Sequence, residues 1–124
     1  MTQRTLILAA ALLLAAPASA EAGCWATAQL SSLPTGMHAG TTWKLDITVK
    51  QHGRRLLPTA KPTVTIADAD GAETVFRARK TGRLGVYRAS VVFPSAGRWS
   101  YTVFDGFVPM CAREHSFPAV TILR

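Results

Sequence analysis

From Leu84 to Phe104 the chain reads LGVYRASVVFPSAGRWSYTVF, two stretches of strict alternation separated by a turn. Tyr87, Ala89, Val91 and Phe93 alternate with Arg88, Ser90 and Val92. After Pro94-Ser95-Ala96-Gly97 the pattern resumes with Trp99, Tyr101 and Val103 against Arg98, Ser100 and Thr102. Successive side chains leave an extended strand on opposite sides, so this period of two predicts an antiparallel hairpin with one apolar face. A helix of 3.6 residues per turn would scatter the same residues around its circumference. A hairpin alone is marginal in water, so a second sheet has to cover that face.

The rest of the chain supplies it. Between Thr42 and Lys50, Trp43, Leu45, Ile47 and Val49 face one way, and Lys44, Asp46, Thr48 and Lys50 the other. Thr63 to Ala67 puts Val64 and Ile66 inward, and Glu73 to Arg79 puts Phe76 and Ala78 inward. Asp68-Ala69-Asp70-Gly71 lies between these two, and its Asp-Gly step favours the left-handed dihedrals of a tight hairpin turn. Cys24 to Leu30 and Ala119 to Leu123 complete a set of seven strands, and no segment keeps helical periodicity for two turns. The pattern predicts an all-β fold, an immunoglobulin-like antiparallel β-sandwich, as one domain over residues 21–124.

Residues 1–20 read as a signal peptide: Arg4 is the only charge, Leu6 to Ala16 is apolar but short for a bilayer span, and Pro17-Ala18-Ser19-Ala20 ends small-x-small. Cleavage after Ala20 is expected, with retention as an N-terminal anchor the alternative. The expected location is periplasmic or secreted, with no stable membrane insertion after cleavage.

The chain carries fourteen Lys and Arg against seven Asp and Glu, a formal charge of +7. Arg77, Arg79, Lys80, Arg83 and Arg88 fall on outward strand positions or in the turn between strands, where charge keeps edges soluble. Nucleic acid is a poor candidate partner, because the aromatics alternate into the core rather than interleaving with the arginines.

Strand parity places the loops. With strands lettered A to G, the B–C, D–E and F–G connections share one end with the start of strand A. Cys24 opens strand A and Cys111 lies in the F–G loop, so the fold delivers both cysteines to that end. Export and an even cysteine count then predict a Cys24–Cys111 disulfide.

Gly85-Val86-Tyr87-Arg88-Ala89, followed by Phe93-Pro94-Ser95-Ala96-Gly97-Arg98-Trp99, resembles the signature of the YtkA-like family, small exported or membrane-anchored bacterial domains related to the FixH group. Gly40-Thr41-Thr42-Trp43-Lys44-Leu45 and Pro62-Thr63-Val64-Thr65-Ile66 are similar to the family's first half, so the resemblance runs from about Ala39 to Val103. It implies an immunoglobulin-like sandwich without catalytic machinery. Neighbouring families of this architecture handle periplasmic copper, which bears on this chain only by analogy.

The residues themselves argue against catalysis. Ser116 follows His115 directly, so the two leave a strand on opposite faces, and no serine sits in a G-x-S-x-G elbow. The acids fall mainly in turns and outward positions, with no evident pair for acid and base work. Two readings of the F–G end remain. In the first, this is a non-enzymatic accessory or interaction module without a cofactor. It contacts a protein of the cell envelope through Phe107, Val108 and Met110, next to Arg54 and Arg55 of the B–C loop. In the second it is a periplasmic copper-binding protein using His52, Met110 and His115, since thioether and imidazole suit Cu(I) and Cu(II). Met37 and His38 belong to the opposite end.

Overall fold

A computed structural model describes residues 24–124. The signal-peptide reading falls on residues outside this range. Ten strands form two antiparallel sheets, and the chain is an immunoglobulin-like β-sandwich. The first sheet has the order β1 (Ala26–Leu30), β2 (Thr42–Gln51), β7 (Val86–Val92), β6 (Arg79–Lys80), with the short β3 (Arg55–Leu56) also on β2. The second has the order β10 (Val120–Ile122), β8 (Gly97–Phe104), β4 (Thr63–Ala67), β5 (Glu73–Arg77), and β9 (Glu114–Ser116) also pairs with β8.

The alternation predicts the core residue by residue. Trp43, Leu45, Ile47 and Val49 of β2 are buried, as are Tyr87, Ala89 and Val91 of β7 with Phe93 after it, Val64 and Ile66 of β4, and Trp99, Tyr101 and Val103 of β8. Each such aliphatic side chain contributes about 1.5–3 kcal/mol by leaving water. Trp43 packs edge-on to Tyr101 at 5.5 Å between ring centroids and Phe93 edge-on to Trp99 at 5.6 Å, geometries that match ring edges to ring faces. The indole of Trp99 also closes the turn before it, donating to the Ser95 carbonyl at 2.9 Å. In the β4–β5 turn, Asp68 Oδ1 accepts from the amides of Asp70 and Ala72, and Gly71 takes φ +84°.

Three expectations are corrected. The single strand from Glu73 to Arg79 is two: Ala78 donates its amide to the Pro62 carbonyl at 3.0 Å, and then Arg79 pairs with Arg88 of β7. The chain therefore changes sheets at Ala78. The F–G loop holds a strand of its own: His115 lies in β9, which precedes the expected last strand, β10, and pairs with the same side of β8. The first strand starts at Ala26, leaving Cys24 just before it.

Register confirms the parity of the ends. Ala26 faces Gln51, Val86 faces Thr48 and Phe104 faces Thr63, so the start of β1, the β2–β4 connection, the connection before β7 and the loop after β8 lie together. At the opposite end Ala39 donates to the Leu123 carbonyl at 2.7 Å and Leu123 to that of Met37 at 2.9 Å.

Candidate interaction surface at the disulfide end

The loop after β8 is organised by a carboxylate that no water reaches. Asp105 is 0% exposed. Its side chain accepts from the Phe107 amide at 3.0 Å, the Arg113 amide at 3.2 Å and His115 Nε2 at 2.9 Å. A carboxylate only accepts, so the imidazole hydrogen sits on Nε2. The Asp105 amide donates to the Arg113 carbonyl at 3.1 Å, closing residues 105–113 into a loop. Within it, Cys111 and Ala112 both donate to the Val108 carbonyl, at 2.8 and 3.0 Å.

This loop is fastened twice more. Cys111 is bridged to Cys24, with Cα atoms 5.0 Å apart, inside the span a disulfide requires. Lys61 donates its amide to the Gly106 carbonyl at 3.0 Å, joining the loop to the β3–β4 connection. Gly106 has φ +65°, and a Cβ there would lie 2.1 Å from the Lys61 carbonyl carbon, so the two backbones touch where only glycine fits. The β3–β4 connection is itself pinned by Tyr87, whose buried hydroxyl donates to the Leu57 carbonyl at 2.7 Å and accepts from the Ala60 amide at 2.9 Å.

Between the two fastened loops runs a cleft of about 490 Å³, lined by Leu57, Thr59, Ala60, Lys61, Phe104, Phe107, Val108 and Pro109. Val108 of its lining, and the neighbours of the two bridged cysteines, are side chains that burial would ordinarily claim. Met110 is 90% exposed, Val108 52% and Trp25 42%. Met110 and Trp25 are the chain neighbours of the two bridged cysteines, so the disulfide carries an apolar residue on each flank.

The expected contact residues separate. Phe107 is half-buried and packs against the core, while Val108 and Met110 face solvent. Arg54 lies in the turn after β2, and Arg55 opens β3 opposite Gln51; the cation lining the cleft is Lys61. Among the expected copper ligands, His115 has Nε2 held by Asp105. His52 sits at φ +52°, with its ring 5.3 Å from that of Trp25 and its Nε2 buried without a hydrogen-bond partner. Among the described residues, no three His, Cys, Asp or Glu side chains gather as a metal site would need.

Sequence reasoning missed Asp105, Lys61 and Trp25. The signal for Asp105 was present: an Asp-Gly pair directly after a strand is a turn in which the carboxylate takes up its own loop's amides.

No protein-family model matches the chain, and no curated protein matches it. Among solved structures it is similar to the crystal structure of the Lin-41 filamin domain, at 13% identity and a TM-score of 0.46, covering 73% of this chain and 91% of that one.

Proposed function

We propose that this chain is an exported, non-enzymatic binding module that captures a protein of the cell envelope through its disulfide end. The observation that carries this reading is the exposure of Met110 and Val108 on a loop fixed by Asp105, by the Cys24–Cys111 bridge and by the Gly106–Lys61 contact. A loop already held in one shape loses little conformational entropy on binding, so its apolar side chains act as anchors at low cost. The disulfide and the resemblance to exported YtkA-like domains both support a location outside the cytoplasm.

The test is site-specific crosslinking in the native envelope, with a photoreactive group at Met110 and a control at Thr121, on the opposite end. A discrete adduct at Met110 alone is expected, and a Val108→Ser, Met110→Ser double variant should lower capture by at least about tenfold with unchanged melting. Equal capture by that variant would overturn the reading. The competing copper reading needs His52 to turn its Nε2 outward and His115 to ligate through Nδ1 or release Asp105. Copper binding to the disulfide-intact protein that weakens on replacing both histidines would favour it.

A further inference from the structure

We propose that β5 is a self-complementary edge, through which two copies of this chain pair antiparallel about a two-fold axis at Val75. This surface is separate from the disulfide end and does not depend on the reading given for it.

The hydrogen-bond pattern identifies the free side of β5. The Asp68 amide bonds to the Ala72 carbonyl at 3.2 Å, and the Ala78 amide to that of Pro62 at 3.0 Å. Bonded and non-bonded pairs alternate between these two rungs, so Ile66–Thr74 and Val64–Phe76 exchange hydrogen bonds. Glu73, Val75 and Arg77 therefore point their amides and carbonyls away from β4, where no described strand pairs with them. Four of the five β5 residues are exposed. The other free edges are two- or three-residue strands, or β1, which is mostly half-buried.

Charge selects the occupant. Asp68, Asp70 and Glu73 precede Val75, and Arg77, Arg79 and Lys80 follow it. Among the described residues, the ion pairs are Arg88 with Asp46 and His115 with Asp105, so none of these six is already neutralised in that way. When Val75 of one copy faces Val75 of another, each Glu73 faces an Arg77, while the acids before β5 and the bases after it lie towards opposite ends of the paired edge. The outward residues 73, 75 and 77 then meet as hydrogen-bonded pairs. Opposite charges directly across a sheet attract and like charges repel, so this register is favoured and a parallel approach is opposed. Charge on an edge ordinarily prevents pairing. Here its sign reverses about Val75, which makes the edge complementary to an antiparallel copy of itself.

An open cleft of about 960 Å³, lined in part by Val75, Arg77, Arg79 and Lys80, runs beside the edge. Val75, 56% exposed, gains an apolar partner in the pair. The contact is short, so the association is weak and depends on concentration.

Sedimentation of the purified, disulfide-intact chain over a concentration series tests the proposal. A monomer–dimer equilibrium is expected, weakened at least about tenfold by Arg77→Glu alone or Glu73→Arg alone, because each variant sets like charges opposite. The two variants mixed should form a heterodimer, since acid again faces base, and that recovery separates pairing from a folding defect. Dimerisation of Arg77→Glu as strong as that of the wild type, or no heterodimer in the mixture, would overturn the proposal. So would a chain monomeric at millimolar concentration, including one that takes up an acidic extended peptide.

Discussion

Asp46 shows how a single outward position of a strand is chosen. It lies across from Arg88, which in turn lies across from Arg79, so without an acid at 46 two arginines would face one another uncompensated on the outer surface. Arg88 answers with two hydrogen bonds, Nε to Oδ1 at 2.8 Å and Nη2 to Oδ2 at 3.3 Å. Hydrogen bonding from Arg88 holds the Asp46 carboxyl below its ordinary 3.8, against a smaller opposing effect of desolvation, with the charges of Arg88 and Arg83 adding to the lowering. A carboxyl with a depressed folded pKa contributes stability that is complete above the unfolded value and is lost as pH falls through the folded one. Asp46→Asn should therefore melt slightly below the wild type at neutral pH, and the difference should shrink below pH 3.8 and vanish in stronger acid. Paired thermal melts across that range check it; a difference that grows on acidification would show that Asp46 acts some other way. The pair is exposed, so the effect is small.

At the scale of elements, the long strands are legible in the sequence, while the short β3 and β9 and the pairing partners are not. Period two marks Trp43, Leu45, Ile47 and Val49 as one buried row because each position reports only which face it takes. It cannot report that the chain crosses between sheets at Ala78, since residues on both sides keep alternating, or that Glu114–Ser116 pairs before Val120–Ile122 does. The disulfide end was legible through parity, which placed Cys24 beside Cys111, but not the role of His115. Its hydrogen bond depends on Asp105, ten residues away, where the Asp-Gly pair signals a turn but not that the carboxylate also reaches His115. Nor does sequence show that Gly106 meets the backbone of Lys61. That contact makes Gly106 the joint between the two loops of the cleft, and Gly106→Ala should break it. The left-handed backbone alone costs a side-chain-bearing residue about 1–2 kcal/mol, and the collision with Lys61 adds to it. Gly36→Ala is the control, because Gly36 has φ +78° yet a Cβ there meets nothing within 4 Å. Denaturant midpoints should fall further for Gly106→Ala than for Gly36→Ala, and equal losses would show that the loop contact is not rigid.

For the whole molecule, the disulfide ties the start of the first sheet to the last long loop of the second, across a sequence separation of 87. Closing a loop of that length stabilises the fold by about 4.6 kcal/mol in the chain-entropy model, against a total of roughly 5–15 kcal/mol for a domain. The bridge therefore supplies a large share of the net stability, and reducing it removes that share. Its removal should also be uneven. β1 is an edge strand whose pairing within the sheet is to β2, and residues 105–113 leave their sheet and keep only the Asp105 and Lys61 hydrogen bonds, so both are loosened while the aromatic core around Trp43, Phe93 and Trp99 keeps its packing. A Cys24→Ser, Cys111→Ser variant should lose about 4.6 kcal/mol in denaturant unfolding. In hydrogen exchange, protection should fall first at β1 and in the Val108–Ala112 turn, at temperatures where β2, β7 and β8 remain protected. If the anchoring loop is the binding site, partner capture by this variant should fall while the protein is still folded, because Met110 and Val108 then belong to a loop that has to be ordered on binding. Uniform loss of protection across both sheets would instead make the bridge a requirement of the whole fold, with no separate part in shaping that end.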